Sequence, residues 1–423
     1  MVRDEDLRVY ILNPAHAELL HLATNFTLRG IDFTYFAALT FGADSRLSSL
    51  AKKRYLPPKI KFLLSKRIVS LKEKNISRGG ILWDILFVFS KRFFSPADSI
   101  LIFFRNRGIE RKALRCMSKD NPNLVISQHT LGFRIFGETR KRGIVSVLNY
   151  SIAHQLWADN ILTSESESNP DWSDFKSLGF LDRLFSKIYL KEIELSDKIL
   201  VGSDFVYRTF VESGVDPSKV IVSNYGASVS EFGIAKDYSY LQRVEREPSA
   251  PINIVFVGQV VQRKGIRYLV EAFNSATLPK NSKLWIVGPI TSRTLKRKLS
   301  LYQNVNLLGK LSKKEISLRV KESDIFILPS LVEGFALSAI EAMSLAIPVV
   351  LSTNTGVADI IQNGIDGYVV NVQDSATIVE IINFAVLYPK TIAHVGYLGY
   401  EKSKLFDWTT YENRTYEILK NLI

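Results

Sequence analysis

Two glutamates, Glu333 and Glu341, stand eight residues apart in SLVEGFALSAIEAM (330–343). The stretch follows the apolar run DIFILPS and precedes IPVVLS, so it leads from one strand-like segment through a helix-like one to another. On a continuous helix, eight residues correspond to two turns plus ~80° and a rise of ~12 Å. Carboxylates so placed are too far apart to act as a paired acid and base. They suit a long ligand lying along the helix, each meeting a different part of it. The same spacing also suits a capping glutamate followed by an incidental surface one.

A second group lies upstream, in GQVVQRKG (258–265), where Arg263 and Lys264 stand between flanking glycines. Gly258 lets the backbone approach a ligand closely, and paired cations supply charge for a phosphate. The pattern is neither GxxxxGK[ST] nor GxGxxG. After Glu333, the residues Gly334, Phe335, Ala336 and Leu337 offer backbone N–H groups at the start of a helix, which favours a diphosphate. A nucleotide sugar fits these features together, with phosphates at the helix start, the sugar at Glu333 and ribose hydroxyls at Glu341.

The elements that must position these groups alternate between strand and helix. Apolar, β-rich runs occur at 7–13, 31–39, 123–129, 144–150, 198–203 and 219–226, and again at 252–258, 283–289, 305–310, 324–330, 347–352 and 366–370. Between the two sets, AKDYSYLQRVEREPSAP (235–251) is polar and ends in prolines, and it reads as a linker. The pattern predicts an α/β chain with two doubly wound parallel sheets in tandem. Ligands of such sheets collect outside the carboxyl ends of the strands, where Gly258, Gly288, Gly309 and Ser330 fall.

The 423 residues suffice for two domains, and 46% hydrophobic with 23% charged residues is a globular balance. A single cysteine, Cys116, excludes an internal disulfide framework and points to a reducing compartment. No apolar run approaches the ~20 residues needed to span a bilayer. The net charge of +13 is concentrated at 52–115, with seventeen Lys or Arg against four acids, interleaved with IKFLL, ILWDILFVF, RFF and ILIFF. That composition suits either solvated basic helices or a face that meets anionic lipid. Nucleic acid is not expected, since no zinc-finger spacing, RNP-like motif or basic heptad is present. No metal is expected either: no His/Cys cluster occurs, and the one DxD-like triplet, Asp4-Glu5-Asp6, precedes the first strand, where fraying is expected.

The combination GQVVQRKG…KLWIVGP…VNLLGKLS…DIFILPSLVEGFALSAIEAMSLAIPVVLS…NGIDGYVV resembles the donor domain of the GT-B retaining glycosyltransferases of family 4, the glycosyl transferases group 1. The resemblance runs over about 252–372. It implies that Glu333 and Glu341 are the two acids of the family's E-x7-E motif and that Lys264 binds phosphate. The family usually has arginine after the first glycine; here Gln259 stands there, with Arg263 as a substitute cation. Gly309 falls where members hold the base through backbone contacts. The half before the linker is similar to the family's acceptor domain, most clearly at 192–232. Its first loop, NPAHAE, lacks the family's glycine pair and offers Asn13 and His16 to the acceptor side. Members commonly place a histidine, facing the sugar, at the strand end where NLVISQHT puts His129; His154 is the rival.

The resemblance implies two Rossmann-like doubly wound domains facing a cleft, at 1–234 and 252–400, joined by a 235–251 linker, with a C-terminal helix at 401–423 crossing back to the first domain. It implies a retaining, metal-independent transfer from a UDP- or GDP-sugar, without a further cofactor, to a glycan or lipid-linked saccharide in cell-surface polysaccharide or glycoconjugate synthesis. Glu333, His129 and Lys264 are the expected catalytic set. The expected location is cytoplasmic, peripheral on the inner face of the membrane if the basic segment binds lipid. A GT-B nucleotide-sugar epimerase and a non-catalytic GT-B scaffold are the alternatives.

Overall fold

The computed structural model describes residues 3–14, 17–51, 61, 64–90, 98–173, 180–229 and 236–423. Seven parallel strands form the first sheet: β1 (Arg8–Leu12), β2 (Asp32–Ala37), β3 (Ile76–Arg78), β4 (Leu124–Gln128), β5 (Val145–Tyr150), β6 (Lys198–Val201) and β7 (Val220–Val222), in the order β3-β2-β1-β4-β5-β6-β7. The second sheet holds β8 (Asn253–Val257), β9 (Lys283–Val287), β10 (Val305–Gly309), β11 (Ile325–Leu328), β12 (Val349–Ser352) and β13 (Tyr368–Val370), in the order β10-β9-β8-β11-β12-β13. Each apolar run of the sequence supplies one strand. The three-residue β3 carries no such run and is held at the edge by β2, with Phe36 opposite Ser77.

Both faces of the first sheet are covered, which is why apolar side chains point from its strands to either side. Side chains alternate between the faces: Tyr10 and Leu12 of β1 enter one cluster with Phe36 and Leu148, while Val9 and Ile11 enter another with Phe33 and Val147. The second sheet shares one core with the helices around it, and β11 and β12 have no exposed residue.

The stretch read as a polar linker, 235–251, contains a helix, Lys236–Val244. Arg243 reaches inward from it, fully buried, and donates to the carbonyls of Ala346 (2.6 Å) and Ser323 (3.2 Å). The stretch reads as a linker because it is polar and lacks apolar periodicity; in the fold the helix packs on Pro389–Ser403, with Tyr240 5.6 Å from Tyr397, and Arg243 satisfies carbonyls of the second domain. The Asp4–Asp6 triplet, expected to fray, forms a short 3-10 turn: Asp4 accepts from Tyr416 OH and Lys420 Nζ, both at 2.6 Å. Those partners lie on the C-terminal helix Trp408–Lys420, which packs on the helix Ala17–Arg29 of the first domain. His21 joins the same seam, stacked on Trp408 at 3.9 Å and 3.0 Å from Glu412. Among the described residues no single helix is long and apolar enough to cross a membrane.

Candidate active site

In each sheet the strand order reverses direction once, between β1 and β4 and between β8 and β11. A crevice opens at such a switch point, outside the carboxyl ends of the strands. The loop after β8 carries Arg263 and Lys264, and the loop after β11 carries Glu333. Two local features join these loops. Gly265 takes a left-handed φ of 70°, and a Cβ there would lie 1.8 Å from the carbonyl oxygen of Pro329, so only glycine allows the approach. The carbonyl of Arg263 accepts from the N–H of Leu331 at 2.8 Å.

Lys264 and Glu333 thereby form an ion pair, 11% and 12% exposed at their side chains. Burial, reinforced by the charge of Arg263, holds the Lys264 ammonium well below its ordinary pKa. Arg263 donates to the carbonyl of Val332 at 2.5 Å and stands 3.7 Å from Glu333. Two cations and one carboxylate thus share the crevice. Gly258 lies beside them, since a Cβ built there would be 3.8 Å from Lys264 Cε. Gly309 accepts from the N–H of Gly288 at 2.8 Å, extending a run of glycines along the strand ends, and Gln259 is exposed at the rim.

The helix is shorter than its sequence pattern predicts. It runs Leu337–Met343, so Glu333 precedes it by a loop instead of opening it, and the 12 Å rise for a continuous helix does not apply. Tertiary packing decides this. A Cβ on Gly334 would lie 2.0 Å from the Ser151 carbonyl oxygen of the first domain, and Phe335 is 2% exposed in the core. Ala336 then turns the chain with φ 66° and ψ 65°, a conformation that L-residues adopt at a cost. Glu341 sits one turn into the helix, on the same side as Leu337. Ser338 ties that helix to the end of β8 through the Val257 carbonyl at 3.2 Å.

The first domain meets these loops with the ends of β4, β5 and β6. His129 follows β4; its ring lies 4.6 Å from that of Tyr150, and its Nδ1 is 3.0 Å from Gln128 Nε2. The amide is the donor in that assignment, which places the ring proton on Nε2. Gln128 also donates to Ser151 Oγ at 3.0 Å, and so links His129 to the serine against which Gly334 packs. His154 is elsewhere. It is 3% exposed, packs edge-on against Phe210, and has a buried Nδ1 without a partner; burial lowers its pKa to about 4. Asn13 does not line the crevice either: fully buried, it extends the β1–β2 ladder by donating from its N–H to Phe36 and from Nδ2 to Tyr35 OH at 2.8 Å. His16 lies outside the described residues.

Sequence reasoning missed the residues that hold this wall. Glu18 accepts from Ser151 Oγ at 2.5 Å and from Asn149 at 3.3 Å. Glu192, fully buried, accepts from the N–H groups of Thr130, Gly132 and Phe133 and fixes the turn after His129; burial raises its pKa to about 8. Nothing in local periodicity marks either one, because their partners, side chains for Glu18 and backbone N–H groups for Glu192, are distant in sequence.

Two Rossmann-like domains whose strand ends face one another, with a C-terminal helix returning to the first, define the GT-B fold. Residues 240–402 match the family described as "Glycosyl transferases group 1". The chain is similar over its whole length to sucrose-phosphate synthase from Thermosynechococcus elongatus (TM-score 0.70, 15% identity, covering 98% of this chain and 99% of that one). It is similar likewise to Anabaena HepE, solved in complex with UDP and glucose (TM-score 0.64, 14% identity, 98% and 100%). Among sequences, it is 21% identical over 274 residues to the putative colanic acid biosynthesis glycosyltransferase WcaL of Salmonella typhimurium, covering 58% of this chain and 66% of that protein. The matches span about half to two thirds of the length of the first curated relatives.

Proposed function

We propose that the chain is a retaining glycosyltransferase that moves a sugar from a UDP- or GDP-sugar to a glycan or lipid-linked saccharide, without a metal, in cell-surface polysaccharide or glycoconjugate synthesis. The observation that carries this reading is the meeting of Lys264, Arg263 and Glu333 at the switch point of the second sheet. Two cations fixed in a crevice supply the charge stabilisation that a departing diphosphate requires. The free protein satisfies them with Glu333; when a diphosphate takes over Lys264, the Glu333 carboxylate is released to accept from hydroxyls of the transferred sugar. Glu341 serves the ribose, and His129, a neutral ring donating from Nε2, faces the sugar from the other domain. In the transfer, the anomeric carbon–phosphate oxygen bond breaks as the acceptor oxygen bonds to the same face of that carbon. The acceptor's proton passes to the departing phosphate. The names of the Salmonella relative and the ligands of the Anabaena protein support the pathway class and a nucleotide donor.

We place the enzyme on the cytoplasmic face of a membrane. The helix Ile81–Ser90 exposes Leu82 (63%), Leu86 (41%) and Phe89 (66%) along one side, and Phe104 (41%) stacks on its Trp83. Residues 52–60, 62–63 and 91–97 of the basic segment lie outside the described residues; among the described ones, four arginines face acids. Arg67 and Arg105 face Asp84, Arg78 pairs with Glu73 and Arg107 pairs with Glu110, while Lys72, Lys74, Arg111 and Arg115 are exposed.

Incubation with a panel of nucleotide sugars and acceptor glycans tests the reading. Transfer, or slow donor hydrolysis without acceptor, supports it. Epimerised donor, or binding without turnover, replaces it with an epimerase or a scaffold.

A further inference from the structure

The N-terminal domain reaches across to the loop that carries Lys264. Its helix Gln155–Ser168 is anchored at home by Trp157, whose Nε1 donates to Glu212 at 2.8 Å and whose ring meets Phe205 edge-on at 5.4 Å. Two turns further on, Glu165 is 2% exposed and takes donors from the other domain on both oxygens. Gln262 Nε2 donates to Oε1, and Tyr268 OH and Gln373 Nε2 donate to Oε2, each at 2.7 Å. Asn169, on its own domain, adds a fourth donor at 3.1 Å. Beyond the helix, Trp172 is buried in the C-terminal domain's core, with Lys298 4.7 Å above its ring.

The contact with Gln262 matters most. That side chain is used at both ends: its nitrogen is held by Glu165, and its oxygen accepts from the N–H of Arg267 at 3.2 Å, at the start of the helix Ile266–Ser275. Gln262 opens the turn Gln262–Lys264 that presents Arg263 and Lys264. A charged acceptor holding a buried amide is among the stronger hydrogen bonds a protein makes. All four donors are neutral, so the carboxylate is held by directed bonds whose geometry depends on the seating of the two domains.

We infer that Glu165 is a positioning residue, which fixes the Gln262–Lys264 turn from across the interface and makes the order of the phosphate-facing cations depend on domain contact. The functional part of the inference rests on the glycosyltransferase reading; the interdomain brace stands without it.

The test uses the full chain and Glu165→Gln, which keeps the shape but turns an amide NH2 toward donors. Deuterium exchange of the ligand-free protein is expected to rise at least tenfold across 259–268, while β9 keeps its protection and Tm moves by only a few degrees. Affinity for UDP or GDP, whichever the wild type binds, is expected to fall about tenfold. The double variant Glu165→Gln with Gln262→Glu exchanges donor and acceptor across the interface, and should recover most of the protection. Unchanged exchange at 259–268, an equal rise in β9, or no recovery in the double variant would each overturn the brace. If the wild type binds neither nucleotide, the glycosyltransferase reading fails, and the exchange data still decide the brace.

Discussion

Lys264 and Glu333, 69 residues apart in sequence, are each other's counter-charge in the ligand-free crevice. Both are nearly buried, so the pair is costly to break from one side only: removing one partner of a buried pair leaves an uncompensated charge, typically at about 3–5 kcal/mol. A ligand that brings its own anion to Lys264 and its own hydroxyls to Glu333 replaces the pair without that cost.

Different roles follow for the three charged residues. Lys264→Met should lower nucleoside diphosphate affinity and turnover together, since its charge serves bound product and transition state alike. Glu333→Gln should leave that affinity within about a factor of three while kcat/KM for transfer falls on the order of a hundredfold, the scale of one preorganised polar contact. Glu341→Ala should weaken donor and product equally, by roughly 1–3 kcal/mol. Calorimetry of the nucleoside diphosphate beside transfer rates decides the matter; product affinity lost as badly in Glu333→Gln as in Glu341→Ala would refute the assignment.

The two histidines separate cleanly. His129→Ala should depress turnover strongly with near-normal nucleotide binding, if His129, tied through Gln128 to Ser151, faces the sugar as proposed. His154→Phe should leave the transfer rate near wild type. The opposite pattern in steady-state kinetics would exchange their roles.

His154 also makes a prediction about acid stability. Burial holds its folded pKa near 4, below the ordinary 6.5, so the unfolded chain takes up a proton first as pH falls. Its contribution to stability is therefore present above pH 6.5 and lost between 6.5 and 4. His154→Phe should flatten the decline of stability over that window by on the order of 2 kcal/mol, measured by denaturant unfolding at stepped pH.

The exposed face of Ile81–Ser90 predicts lipid binding by a route distinct from catalysis. Leu86→Ser with Phe89→Ser should lower partition onto anionic vesicles by roughly tenfold or more, given ~1.5–3 kcal/mol for burying such a side chain fully. Wild-type binding should weaken with salt. Equal binding of the wild type to neutral and anionic vesicles, or none to either at low salt, rejects the membrane face.

The sequence by itself determined the alternation of strands and helices, the two sheets and the loops that carry Lys264 and Glu333. Those are local properties: a buried parallel strand must be an apolar run, and a turn at a strand end must use residues that tolerate it. Tertiary structure decided what local pattern cannot encode. The helix after Glu333 begins at Leu337 because Gly334 is pressed against Ser151 of the other domain, a contact with no periodic signature. Arg105, read as part of a basic surface, is buried where Asp84 of the helix Ile81–Ser90 comes to it in the fold. The helix Lys236–Val244 read as a linker because its partners, the helix Pro389–Ser403 and two carbonyls bound by Arg243, are distant in sequence. Glu165 and Glu192 carry no local mark in the sequence, since their partners lie across a domain interface and in a backbone turn, and only chain packing brings donors and carboxylate together.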